Sequence, residues 1–350
     1  MSPPPDGEIL ARPFGAASRA DLLGNYFAGS TVEPGLAWQD VYRLLLWIDR
    51  TTGLAHCYES DKAQPGRAWY ARSLTFHAWA AAELGAHPPD LGSHIDWLFR
   101  RATERLAAAA VAQRETRARA ADAQREPWAG QGLPEPGDDP ELRDILERVM
   151  DPDPARRPPG DRVRQVMQEI QAHFAAENRR KNLLGEGFED VIAAILTRLP
   201  GDRPGVYSRR FLHEIPGFRT PPVAEKPRRV DLGIVAPGGY RSLVSVKWSV
   251  RADREEQFGV DFDTYARLEE SGEDFSFALL TNEFDAARLV SACTRRAPGR
   301  RLFDQVVHVN PDGVLAVYSG ASRGAAAELP ELVLSGRLIP LSRWLELVSA

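Results

Sequence analysis

A chain of 350 residues with 43% hydrophobic side chains can bury a substantial core, enough for one large domain or two ordinary ones. Its formal net charge of −5 is not that of a basic nucleic-acid binder, so any grip on phosphates must come from local clusters. No apolar run approaches the roughly 18 residues of a spanning helix, the start MSPPPDGEILARPFG lacks an apolar signal core, and Cys57 and Cys293 match no zinc spacing. The expectation is a cytoplasmic protein with reduced thiols.

In chain order, a Pro/Gly-rich tail precedes helical patterning from about residue 18 to 127, with Val41, Leu44, Leu45 and Ile48 on one stripe and Leu74, Ala78, Ala81 and Ala82 on another. Between these stripes lies a stretch dense in Arg, His, Trp and Tyr, including Arg50, His56, Tyr58, Arg67, Trp69, Tyr70 and Arg72. It reads either as a packed loop or as a surface that binds DNA or a partner. One extended helix is expected over Ser93 to Glu126, and a short one over Glu141 to Met150. The segment DPDPARRPPG is the clearest punctuation and sets the expected boundary between an all-helical domain, 1–160, and a second domain, 161–350.

Beyond Gly160 the pattern alternates. A helix through Val163, Val166, Ile170 and Phe174 leads to a second, Glu186 to Leu199. Strand-like runs follow at Val206–Leu212, Arg229–Val235, Ser242–Lys247, Phe275–Leu280 and Gln305–Val309, with helical patterns at about Asp253–Glu270 and Glu283–Cys293. The architecture these imply is α/β, a mixed sheet flanked by helices.

Two charged residues fall where chemistry is possible. Asp231 and Lys247 lie on adjacent expected strands joined by the tight turn Pro237–Gly239, so a hairpin would bring both side chains to one edge of the sheet. Phosphodiester hydrolysis needs carboxylates that hold Mg²⁺ at the scissile phosphate and a lysine that orients or deprotonates the attacking water. Arginines crowd the same region: Arg209, Arg210, Arg219, Arg228 and Arg229 with Lys226, then Arg295, Arg296, Arg300 and Arg301. Each cluster is either a phosphate grip or a solvated surface.

The order of a helix with Glu189, strands with Asp231 and Lys247, and a following helix resembles the PD-(D/E)XK nuclease core. The acid usual two positions before the lysine is absent, since Ser245 stands there. The block SVKWSVRADR, Ser245 to Arg254, is similar to the SxKxSxRxDR block of restriction endonucleases of the CCGG-recognising (BsaWI-like) group. That resemblance covers about residues 180–310. It implies that the missing acid comes from the helix after the lysine, fourteen residues on, at Asp261, with Glu256 and Asp263 as reserves.

It further implies Mg²⁺ held by Asp231 and Asp261, an additional acid at Glu189 in preference to Glu186, and base reading by Arg251, Asp253 and Arg254. Arginine donates to guanine O6 and N7 and aspartate accepts from cytosine N4, which suits a C·G-rich site. The expected activity is that of a type II site-specific deoxyribonuclease leaving 5′-phosphates on double-stranded DNA. A homodimer or larger even assembly would match a palindrome. A structure-directed or repair nuclease of the same fold, and an inactive DNA-binding relative, are the alternatives.

Overall fold

The computed structural model describes residues 15–46, 68–91, 139–150, 160–201, 203–250, 255–271 and 274–349, with short pieces between 66 and 131. By internal contacts the chain forms two compact units, Phe14–Thr103 with Leu184–Ala350, and Met1–Pro13 with Glu104–Leu183. The helices before the sheet are α1 (Ala16–Phe27), α2 (Ala37–Leu45), α3 (Ala68–Glu83), α4 (Pro140–Met150) and α5 (Gly160–Leu196). Strands β1 (Gly205–Ser208), β2 (Leu232–Val235) and β3 (Arg241–Lys247) come next, then α6 (Glu255–Leu268), β4 (Ser276–Thr281) and α7 (Ala286–Thr294). The chain continues through β5 (Arg296–Ala297), β6 (Arg300–Arg301), β7 (Gln305–His308), α8 (Pro311–Val317), α9 (Ala325–Leu334), β8 (Leu338–Pro340) and α10 (Leu341–Ser349).

The larger unit is built on a mixed six-stranded sheet in the order β1-β2-β3-β4-β7-β8. Its first three strands are antiparallel, and β3, β4, β7 and β8 run parallel. Parallel neighbours require crossovers, which here pass through α6 between β3 and β4, and through α7 between β4 and β7. The central strand β4, SFALLT, is buried at every position, the continuous apolar pattern of a strand covered on both faces. Its inward aromatic layer includes Phe277, which packs against Phe303 at a tilt, 4.9 Å between centroids, and meets Tyr265 of α6 edge-on at 5.5 Å. That packing fixes the helix that follows Lys247 against the sheet.

The turn at 236–240 joins β2 to β3 as expected. Gly239 has φ +85°, a backbone region that side chains with a Cβ avoid, and its N–H donates to Ala236 O at 2.8 Å. The register pairs Leu232 with Val244, so the next pair outward sets Asp231 opposite Ser245. Lys247, two residues along, projects on the same face.

Helices α1 to α3 belong to the same unit as this sheet. Val41, Tyr42, Leu44 and Leu45 are fully buried. The Tyr42 hydroxyl donates to Asn282 Oδ1 at 3.0 Å, and Phe76 meets Phe284 edge-on at 4.9 Å. Both partners follow β4 directly, so the N-terminal helices close over the carboxyl end of the parallel strands. Trp69, Tyr70 and Arg72 lie on α3 rather than in a connecting loop, and the Arg72 guanidinium sits over the rings of Trp69 and Tyr318 at 5.1 and 4.7 Å. Residues 47–65 and 67, which hold the rest of that Arg/His/Tyr-rich stretch, lie outside the described residues, as does most of the helix expected over Ser93 to Glu126.

Two expectations need correction. The pair of helices expected between Val163 and Leu199 is one helix, Gly160–Leu196. Gly187 does not end it but serves close packing, because a Cβ there would lie 3.2 Å from Leu45 Cδ2 and 3.5 Å from Leu98 Cδ2. The short strand β8 went unread, and it adds a sixth member at the sheet edge. Among the described residues no helix is long and apolar enough to cross a membrane.

Candidate active site

Asp231 precedes β2 and Lys247 ends β3, and the hairpin sets Lys247 Nζ 2.5 Å from Asp231 Oδ2. The same oxygen accepts from the Val246 backbone N–H at 3.0 Å and from the Ser245 hydroxyl at 3.3 Å. Three donors on one oxygen lock the carboxylate, and among the described residues none reaches Oδ1. Ser245 thus contributes a hydrogen bond where an acid would have contributed charge.

Asp261 lies at the end of the second turn of α6, within electrostatic reach of the hairpin. Burial raises its pKa; hydrogen bonding from Gln257 and the charge of Arg228 oppose this, Asp231 raises it further and Lys247 lowers it. Those last two influences place Asp261 within electrostatic reach of both hairpin residues. Its Oδ1 accepts from Gln257 Nε2 at 2.9 Å and is ion-paired with Arg228 Nε at 3.2 Å. Glu256 and Asp263, by contrast, are exposed on the outer face of the helix.

Glu189 approaches from α5. Burial pushes its carboxyl up to about 7, repulsion from Asp231 adds to this, and Lys247 and Arg209 act against it. Glu186 is turned away and pairs with Arg19 at 2.8 Å. The structure therefore brings Glu189, Asp231, Lys247 and Asp261 into one neighbourhood from three elements. Arg251, Asp253 and Arg254 lie outside the described residues.

An ion-pair chain not anticipated from the sequence stands behind this site. Arg209 pairs with Glu189 at 3.1 Å and with Asp190, and Arg19, buried on α1, pairs with Asp190 at 2.5 Å. The Arg209 backbone is left-handed, with φ +50°, a conformation costing a non-glycine residue on the order of 1 kcal/mol. It is held there because its N–H donates to the Asp231 carbonyl at 2.9 Å. Arg209 thus ties the helix acid to the strand acid. A left-handed arginine and contacts 171 residues apart leave no local signature.

The arginine clusters divide in the same way. Arg219 donates to Glu270 O at 2.6 Å, Arg229 stacks over Phe211 at 5.1 Å, and Arg295 pairs with Glu255 at 3.2 Å. Each is partly spent on structure. Arg210 is exposed beside Glu214, and Arg296 and Arg301 are exposed on the small β5–β6 hairpin.

Chemically, the sheet edge gathers three carboxylates; burial is the main cause of the raised pKa values of Glu189 and Asp261, and repulsion from Asp231 adds to both. A hard cation would offset that repulsion, and Asp231 and Asp261 each keep an oxygen free of donors among the described residues. No three His, Cys, Asp or Glu side chains among those residues stand close enough to share one ion. Two carboxylates suffice for Mg²⁺, which keeps several waters and takes substrate phosphate oxygens as further ligands. Set against models of known protein families and against curated protein sequences, the chain matches none.

The position of Glu189 yields a test independent of substrate. An acid raised from 4.5 to about 7 binds its proton more tightly folded than unfolded. Its contribution is therefore full below pH 4.5 and is lost as pH rises to 7. Each tenfold change in that equilibrium is about 1.4 kcal/mol, so Glu189→Gln, which cannot ionise, should be more stable than the parent at pH 8 by roughly 2–3 kcal/mol. The advantage should shrink toward pH 5. Urea unfolding of variant and parent at the two pH values in cation-free buffer measures it, and an advantage over the parent no larger at pH 8 than at pH 5 would contradict a buried Glu189 carboxyl beside Asp231.

Proposed function

We propose that this protein is a Mg²⁺-dependent DNA endonuclease of the PD-(D/E)XK type, a type II restriction enzyme acting on a palindromic site with a CCGG core. The observation that supports it most is the joining of Asp231 and Lys247 across a hairpin with Asp261 returned from the next helix, in a chain that has serine where the motif has its second acid. An acid supplied from α6 restores the charge that Ser245 cannot.

In this reading Asp231 and Asp261 hold the cation, which when bound neutralises the scissile phosphate and acidifies the attacking water. Lys247, oriented by Asp231, donates to that water or to the phosphate oxygen on which charge builds. Glu189, with its carboxyl near neutrality, takes part through water and is kept in place by Arg209. The exposed arginines at 210, 296 and 301 are available to DNA phosphates. Base reading is assigned on sequence grounds to Arg251, Asp253 and Arg254, and the two-fold symmetry of a palindrome calls for a homodimer or a larger even assembly.

Incubating the protein with a randomised plasmid library in Mg²⁺ and sequencing the ends tests the whole reading. Cuts at one fixed sequence with a CCGG core and 5′-phosphates are expected. Cuts that follow DNA structure rather than sequence would move the protein to the structure-directed nucleases, and no cuts under any divalent cation would make it a binding protein.

A further inference from the structure

The two aspartates are held in the same manner, each by one oxygen. Asp231 receives Lys247, Ser245 and the Val246 N–H on Oδ2. Asp261 accepts from Gln257 on Oδ1, and the same oxygen is ion-paired with Arg228. Among the described residues neither second oxygen has a donor. A carboxylate gripped at one oxygen cannot rotate about its final bond, so its other oxygen points in a fixed direction.

We propose that Gln257 is the positioning residue for Asp261, presenting its free oxygen to the cation, with Arg228 as the second holder. This deepens the nuclease reading and rests on it. The physical case begins with reach: Asp261 is an aspartate placed on a helix, one bond shorter than a glutamate would be, and has little slack with which to find an ion. Gln257 lies one helical turn before it, at i−4, where side chains on one face meet, and its amide bond to Oδ1 is 2.9 Å. Gln257 itself is exposed, so its side chain serves no core.

Arg228 reaches the same oxygen from the segment before β2. Its backbone is fixed by Leu212 N donating to its carbonyl at 2.9 Å, and the neighbouring Val230 N–H donates to Arg210 O at 2.9 Å. Its ion pair helps to hold Asp261 in place, while its charge opposes a second positive group nearby. Gln257 carries no charge, so replacing it isolates the orienting effect.

Partners that orient metal ligands are worth about 10–100-fold in metal affinity. The test titrates cation-free protein with Mn²⁺ alone by calorimetry and records the melting temperature of each sample. Gln257→Ala and Gln257→Met are the variants, the second keeping side-chain length and losing only the amide. Both are expected to bind Mn²⁺ about 10–100-fold more weakly than the parent with melting temperatures unchanged. In cleavage assays the half-saturating Mg²⁺ concentration should rise while the rate at saturating Mg²⁺ is largely kept.

If Gln257→Met binds Mn²⁺ as the parent does, the amide does not orient Asp261 and the proposal is wrong, whatever the parent does to DNA. If the parent itself neither binds Mn²⁺ nor cuts DNA, the nuclease reading fails and takes this inference with it.

Discussion

Lys247→Ala is expected to lower DNA cleavage by roughly a hundred- to a thousand-fold or more, the range for losing a donor aimed at developing charge, while specific DNA affinity is retained. The two effects separate because binding energy comes mainly from contacts to phosphates and bases spread over the interface, whereas among the described residues the Lys247 ammonium is ion-paired with Asp231 alone. The fold should also survive. Lys247 is about one-third exposed and Asp231 one-quarter exposed, and Asp231 keeps the Val246 N–H and the Ser245 hydroxyl. Removing the lysine therefore strands no buried charge. Lys247→Met, which keeps most of the packing, should behave in the same way. The measurement pairs single-turnover cleavage in Mg²⁺ with a binding titration in Ca²⁺, at one salt concentration because the phosphate contribution varies steeply with salt. Cleavage within a few-fold of the parent by either variant would exclude Lys247 from the chemistry.

Parts of this site were legible in the sequence because they depend on local rules. The alternation around β2 and β3 and the turn at Pro237–Gly239 set the hairpin, and the hairpin alone carries Asp231 to Lys247. The apolar run of β4 was legible as a strand for the same reason. Whatever depends on distant partners stayed hidden. Arg209 was one of several arginines in a cluster, and nothing nearby said that it would adopt a left-handed backbone to join Glu189 to the Asp231 carbonyl. The close approach of Gly187 to Leu45 and Leu98 involves residues far upstream, so no local pattern shows it. β8 has three residues, two apolar and one proline, too few to show a period of two. Its identity as a strand comes from pairing with Val306, Val307 and His308. The migrated acid is intermediate. The resemblance put Asp261 on the helix after Lys247, but the sheet decides which face of that helix turns inward.

That intermediate case gives the second large effect. Asp261→Asn should reduce cleavage at a fixed, moderate Mg²⁺ concentration by two or more orders of magnitude, while Glu256→Gln stays within a few-fold of the parent. The two substitutions are chemically alike, each trading a carboxylate on α6 for its amide. The contrast therefore tests position rather than charge in general. Asparagine can still accept from Gln257 through its Oδ1, so the side chain keeps its place. What it lacks is the full negative charge that a hard cation requires of a directly bound oxygen. Glu256 is exposed on the outer face, where its charge is screened by solvent and contributes little at the distance of Asp231. The Asp261→Asn variant should also recover part of its rate as Mg²⁺ is raised, since mass action offsets a weakened site, whereas a Lys247 variant should not. Measuring cleavage rate against Mg²⁺ concentration for all three variants separates a cation ligand from a group that acts on the attacking water. A severe loss in Glu256→Gln with a mild one in Asp261→Asn would reassign the second acid to position 256 and would require α6 to turn about its axis when DNA binds.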